Sequence, residues 1–147
     1  MKFCRINLSK TNYSKLDCVQ NLSMVARDDR MDDLKEIYRK YCEYKNFESV
    51  MPLFEGMVFD KYTDVLCYYP NGKLSAFSII KRYDRLNAES LQFAWNYNEP
   101  ELKLGLESLK HECAFYKAMG YEYLYLGQVA EYKRHFDGYE ELGKLNV

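Results

Sequence analysis

The sequence predicts one α+β domain: a mixed central sheet flanked by helices, with a parallel strand pair at its heart. Three observations carry this. The spacing of apolar residues switches along the chain between the helical period of 3.6 and the strand period of 2. A strand–helix–strand run fills residues 90–127, and a connection of that length returns to a parallel neighbour by a right-handed crossover. A chain of 147 residues suits a single domain, here 1–147, which buries roughly 68–70% of the surface its unfolded form exposes.

The elements follow in order. Residues 1–8 alternate enough for a strand, and 9–30, rich in Ser, Asn, Asp and Lys, read as loop. From Met31 to Phe47 the residues Leu34, Ile37, Tyr38, Tyr41 and Tyr44 or Cys42 recur at helical spacing, with Asp28, Asp29 or Asp32 as the cap. A shorter helix covers Phe47 to Met57, interrupted near Pro52. Tyr62 to Tyr69 and Leu74 to Lys81 are strands around Pro70-Asn71-Gly72-Lys73, and Asn-Gly at the centre favours a type I′ turn. Ser90 to Asn98 alternates, with Leu91, Phe93, Trp95 and Tyr97 on one side. Pro100 opens a long helix whose apolar face is Leu102, Leu106, Leu109, Cys113, Tyr116 and Met119, and Gly120 ends it. Tyr121 to Gly127 is a buried strand. A short helix or loop and a terminal strand complete the chain.

Composition narrows the function. Hydrophobic residues make up 48% and charged ones 29%, a globular balance. A net charge of −1 argues against a constitutive nucleic-acid binder, whose footprint is strongly basic. Local basic clusters (Lys81-Arg82 with Arg85, and Lys133-Arg134-His135) suit either a solvated rim or a phosphate contact. The 15 Tyr suit half-buried surfaces where the ring packs and the hydroxyl reaches water or a ligand. Five Cys without a CxxC pair and two His make a poor metal inventory, so no zinc site is expected. No apolar run approaches the ~18 residues of a membrane span, and no apolar leader follows Met1. A cytoplasmic protein with reduced thiols and no membrane contact is the expectation.

The last fifty residues carry a resemblance. The stretch LGLESLKHECAFYKAMGYEYLYLG, with Gln128 and then Glu131-Tyr132-Lys133-Arg134-His135-Phe136 behind it, resembles the C-terminal half of arginyl- and leucyl-tRNA–protein transferases, within the GNAT acyltransferase superfamily. The matching positions are Gly120, Tyr121, Tyr123, Tyr125, Leu126, Gly127, Tyr132, Lys133 and Phe136. The likeness covers about a third of the chain, and the remainder matches only in element order. Those transferases carry a further N-terminal region, and the arginyl enzymes carry N-terminal cysteine pairs, whereas Cys4 and Cys18 are isolated here.

The resemblance implies a GNAT-like fold in which two neighbouring parallel strands part at their C-terminal ends. The donor's carbonyl lies in the gap, held by backbone amides of the splayed strand and of the helix that follows it. It also implies an acyltransferase, using acyl-CoA or aminoacyl-tRNA as co-substrate with no permanently bound cofactor, and an amine on a protein, peptide or small molecule as acceptor. The glycine-rich CoA loop of such folds is represented only by Gly105, among acidic Glu101 and Glu107. That suits an aminoacyl-tRNA donor or lost catalysis better than a pyrophosphate.

Acyl transfer needs a base, an oxyanion site and an acid. Glu99, with Glu122 second, is the candidate base; Asn96 adds a donor for the oxyanion; Tyr132 is the candidate acid for the leaving group. Trp95, Tyr97, Gly105, Gly127, Gln128 and Lys133 are the candidate donor-binding residues. His111 reads as an exposed helix residue and Cys113 as a buried, inert thiol. The competing reading is a catalytically silent domain of the same fold that binds a protein or nucleic-acid partner.

Overall fold

In the computed structural model, residues 2–46, 53 and 55–143 are described. The strands are β1 (Phe3–Asn7), β2 (Val19–Asn21), β3 (Thr63–Tyr68), β4 (Ala76–Arg82), β5 (Asn87–Trp95), β6 (Tyr123–Gln128) and β7 (Tyr139–Leu142). The helices are α1 (Met24–Lys45), the single turn α2 (Glu55–Val58) and α3 (Leu104–Ala118). One seven-stranded sheet runs in the order β2-β3-β4-β5-β6-β1-β7. Its only parallel pair among the described residues is β5 with β6, as the crossover requires.

Each face of the sheet has its own core. On one, α1 and α2 place Leu34, Ile37 and Val58 over Val65, Phe77, Ile79 and Ala94. On the other, α3 places Leu104, Leu109, Cys113 and Tyr116 over Leu66, Tyr68, Ile80 and Leu124. A fold built this way hides apolar strand faces on both sides and leaves only the sheet edges and strand ends for chemistry.

Several expectations are corrected. The segment 9–30 is not all loop. It forms β2 and the first turns of α1, which starts at Met24 because Ser23, not an aspartate further on, caps it by accepting from the Ala26 amide at 3.2 Å. The second helix is seen only as Glu55–Val58, and most of the predicted span, 47–52 and 54, lies outside the described residues. Asn71 and Gly72 do take positive φ (57° and 80°), as a type I′ turn demands. That turn sits inside a wider loop, since β3 and β4 pair only as far as Tyr68↔Ala76.

The fourth correction concerns β5. Opposite Ile79 and Ile80 the register jumps from Gln92 to Ser90, so Leu91 is a bulge residue. The extra residue breaks the alternation. Leu91 therefore packs with the α1 core, while Phe93, Trp95 and Tyr97 stay on the α3 side.

The long helix begins later than Pro100. Pro100–Leu102 is a 3-10 turn, Lys103 takes a left-handed conformation (φ 49°), and α3 proper starts at Leu104. Leu106 and Met119 are exposed. The buried stripe runs instead through Leu104, Ser108, Leu109, Glu112, Cys113 and Tyr116. Gly120 (φ 90°) ends the helix as expected, with its amide on the Lys117 carbonyl and the Tyr121 amide on that of Tyr116, both at 3.0 Å. That reciprocal pair is a Schellman cap.

Candidate active site

The site is a consequence of how β5 and β6 part. They pair at Asn87↔Tyr123, Ala88↔Leu124 and Glu89↔Tyr125, and no further, although β5 continues to Trp95 and β6 to Gln128. The Leu91 bulge lies just past the last pair, where added twist turns β5 away. A cavity of about 200 Å³ fills the wedge, bordered by Gln92 and Phe93 of β5, Gly105 and Glu112 of α3, Leu126 of β6, and Tyr132. At the end of β5 a second cleft of about 410 Å³ adjoins it, sharing Tyr41, Phe93, Gly105 and Tyr132.

Of the predicted donor-binding residues, Trp95, Tyr97, Gly105 and Lys133 border one or both cavities. Tyr97 has φ 57°, a conformation uncommon outside glycine. This turn stacks its ring on Tyr44 (centroids 3.7 Å) and sets it 4.3 Å from that of Trp95. Gly105 sits in the first turn of α3, where no side chain caps the helix and the Leu106 and Glu107 amides share the Lys103 carbonyl, both at 3.0 Å.

Tyr132 and Lys133 sit on a 3-10 segment, Glu131–His135, just past β6. Tyr132 borders both cavities, and burial of its hydroxyl end pushes its pKa up. The Lys133 ammonium donates to the carbonyls of Leu126 and Gln128, both at 2.9 Å. Desolvation lowers its pKa.

The other predicted residues lie elsewhere. Glu99 accepts from Asn71 Nδ2 at 3.2 Å, at the tip of the β3–β4 loop. Asn96 has its amide on the Ser75 carbonyl and its side-chain oxygen on the Asn98 amide, both at 3.0 Å, and borders a separate hollow beside α1 with Asp33 and Lys40. Gly127 borders a pocket with Phe3, Cys4 and Tyr125, apart from the wedge. Gln128 is exposed and lies outside both cavities. Glu122 is exposed just before the N-terminal end of β6, away from the parting.

Sequence reasoning missed Glu112. It is 2% exposed and borders the wedge. Its Oε2 accepts from the Tyr68 hydroxyl at 2.5 Å and the Ser78 hydroxyl at 2.7 Å. Burial raises its pKa to about 7, against the opposing pull of those two donors. Tyr68 is held well above its usual value by its own burial and by the Glu112 carboxyl. The signal was available: Leu104, Ser108, Glu112 and Tyr116 repeat at i, i+4, a buried helical stripe containing one acid.

His111 is corrected too. It is 4% exposed, and its Nδ1 accepts from the Leu16 amide at 2.8 Å. Desolvation lowers its pKa to about 4, so it is a neutral structural imidazole. Cys113 is fully buried and its thiol is pushed up to about 12.

No protein-family model matches the sequence, and no curated protein matches it. Solved structures do match in fold. One is the C-terminal domain (DUF2156) of a protein named as a lysylphosphatidylglycerol synthetase from Agrobacterium fabrum, at 13% identity and TM-score 0.67, covering 87% of this chain and 46% of that one. Another is Saccharomyces cerevisiae N-myristoyltransferase with bound myristoyl-CoA, at 14% identity and TM-score 0.55, covering 80% and 35%. A third is a protein assigned to the GNAT acetyltransferase family from Novosphingobium aromaticivorans, at 15% identity and TM-score 0.57, covering 95% and 58%. The chain thus spans less than two thirds of each. It has a GNAT-like α+β fold, with the mixed sheet and flanking helices expected. Among the described residues no helix is long and apolar enough to cross a membrane.

Proposed function

We propose that the chain is an acyltransferase that moves an acyl or aminoacyl group from acyl-CoA or aminoacyl-tRNA to an amine. One observation carries the reading: past Glu89↔Tyr125 the facing edges of β5 and β6 part around a cavity. Unpaired strand edges offer backbone donors and acceptors to an extended donor, as one more strand would. The fold neighbour with bound myristoyl-CoA supports a thioester donor. The neighbour named for lysylphosphatidylglycerol, an aminoacyl lipid, supports an aminoacyl donor, as does the arginyltransferase-like C-terminal segment.

In this reading the amine nitrogen attacks the donor carbonyl carbon, and the oxyanion of the tetrahedral intermediate meets backbone amides on the open edge of β5. The carbon–sulfur or carbon–oxygen bond then breaks as Tyr132 gives its hydroxyl proton to the leaving group, and the proton shed by the attacking nitrogen returns to the Tyr132 oxygen. Lys133 holds the Tyr132 segment against β6. Asn96 and Glu99 border neither cavity and carry no step in this reading.

The placement of Glu99 and Asn96 outside the cavity favours a second reading, a silent domain that binds a partner through its aromatic cleft. Thermal shift with CoA, acetyl-CoA and charged tRNA, followed by mass spectrometry of an amine acceptor, separates the two. A rise of several degrees with one donor class and a mass increase on the amine are expected. No shift and no transfer with any donor would leave the binding module.

A further inference from the structure

Glu112 is a buried acid with no counter-cation. No ion pair among the described residues includes it. Both of its hydrogen bonds come from neutral hydroxyls and both fall on Oε2. The cation that shares its cavity, Lys133, is turned onto the carbonyls of Leu126 and Gln128. Buried carboxyl groups are ordinarily paired or hold their proton, since an isolated charge costs several kcal/mol of solvation. Glu112 also borders the wedge cavity rather than lying wholly in packed protein.

The position within the fold says which reactant would supply the missing charge. Glu112 projects from α3, the helix that follows the splayed strand, and reaches β3 and β4 on the α3 face of the sheet. This is the donor's side of the wedge in the reading above. The cavity, about 200 Å³, is smaller than the roughly 300–1,000 Å³ of ordinary ligand pockets. It suits a short acyl group with a polar end better than a long hydrocarbon.

We infer that Glu112 receives an ammonium group carried by the transferred acyl group, so that the donor is an aminoacyl ester rather than a plain acyl thioester. The inference rests on the acyltransferase reading. The ammonium is either the α-amino group or a cationic side chain, and both present the same chemistry to the carboxylate. Besides Tyr68 of β3, the ionisable groups around Glu112 are His111, Cys113 and Tyr116 on its own helix, with His111 neutral at its lowered pKa, and Tyr41, Tyr132 and Lys133 across the cavity. Of these only Lys133 is cationic.

The test uses the full chain and three amide-linked probes: 3′-deoxyadenosine carrying a 3′-lysylamino group, its norleucyl counterpart, and the norleucyl probe acetylated at the α-nitrogen. Calorimetry should show the ammonium-bearing probes binding about 10- to 100-fold more tightly than the acetylated one, as a charge-assisted hydrogen bond implies. Lysyl above norleucyl would identify the side-chain cation; lysyl equal to norleucyl, the α-amino group. Glu112→Gln should abolish the difference. In case that variant is poorly folded, the ¹³C shift of the Glu112 carboxyl in the native chain should move with the lysyl probe and not with the acetylated one. Equal affinity for all three probes, or no binding of any, overturns the inference. Acetyl transfer from acetyl-CoA at equal rates by the native chain and Glu112→Gln would overturn it while leaving the acyltransferase standing. Glu112-dependent binding without transfer from any donor would do the reverse.

Discussion

The ammonium of Lys133 is anchored 2.9 Å from the carbonyl oxygen of Leu126, beyond the last residue of β6 that pairs with β5. A strand that loses its neighbour in mid-course leaves carbonyls without strand donors, and a lysine seven residues on fills the place. The same side chain reaches the Gln128 carbonyl. The segment that carries Tyr132 is thereby tied to the edge of the wedge.

Lys133→Met removes that tie without removing the tyrosine. Turnover should fall about tenfold, because a displaced acid is a weaker one. Tyr132→Phe should then cost less in the Lys133→Met background than in the native chain. A double-mutant cycle on kcat reads this directly. Additive effects would show that Lys133 acts independently of Tyr132.

Tyr132→Phe alone should lower kcat by roughly 10²- to 10⁴-fold, the usual contribution of a positioned acid. Tyr132 is 51% exposed, so Tm should barely change. Unchanged turnover would remove the hydroxyl from the chemistry, leaving only a ring at the cavity mouth.

Two adjacent residues of α3 should give opposite pH signatures. Glu112 is raised from 4.5 to about 7, so the folded chain holds its proton longer than the unfolded one. Its contribution is full below pH 4.5 and is lost as pH rises to about 7, a change of about 3 kcal/mol. His111 is lowered from 6.5 to about 4. Its contribution is full above pH 6.5 and is lost as pH falls toward 4, by a similar amount. Between pH 4.5 and 6.5 the two slopes cancel in the native chain. Urea unfolding of Glu112→Gln should therefore show stability rising with pH over that interval. A flat profile for the variant would mean that one of the two groups titrates normally.

Arg27 should be the costliest polar residue to replace in α1. It is 5% exposed and donates to the carbonyls of Leu22 (3.1 Å), Val58 (2.8 Å), Asp60 (3.2 Å) and Thr63 (2.6 Å). Arg27→Met keeps much of the volume but strands four acceptors from three segments. A loss of about 3 kcal/mol or more is expected, which for a chain of this size lowers Tm by roughly 10 °C. A drop under two degrees would show that water replaces the guanidinium.

What the sequence disclosed and what it hid divide along a physical line. Signals that are local in the chain read correctly: Asn71-Gly72 for the tight turn, Gly120 for the helix end, and the run from β5 through α3 to β6 for a parallel pair. The start of α1 was hidden because its early residues, Arg27 to Asp33, are mostly charged and solvent-facing, and its signal was the lone cap at Ser23. Glu112 and His111 were hidden because a polar residue on a helix looks solvated until tertiary partners exist; theirs come from Tyr68, Ser78 and Leu16. The position of Asn96 apart from both cavities was hidden because period-2 counting could not foresee the bulge at Leu91 or the positive φ of Tyr97.

Gly138 offers a test of how β7 supports the site from a distance. Its φ is 75°, and a Cβ built there collides with the backbone carbonyl of Asn7. The Gly138 carbonyl in turn accepts from the Asn7 amide at 2.8 Å, next to the first β1–β7 pair, Ile6↔Tyr139. Alanine must relieve that clash by moving the chain, since backbone cannot yield as a side chain would, and pays a left-handed penalty of about 1–2 kcal/mol besides. The damage should spread to the Tyr132 segment, because Arg134 pairs with Glu141 of β7 at 2.9 Å and Phe136 is buried between the two. Gly138→Ala should lower stability by about 2 kcal/mol or more, and hydrogen exchange should quicken at β7 and at residues 131–136 while the β3–β4 amides keep their protection. Faster exchange confined to β7 would show that the Tyr132 segment is held by Lys133 alone.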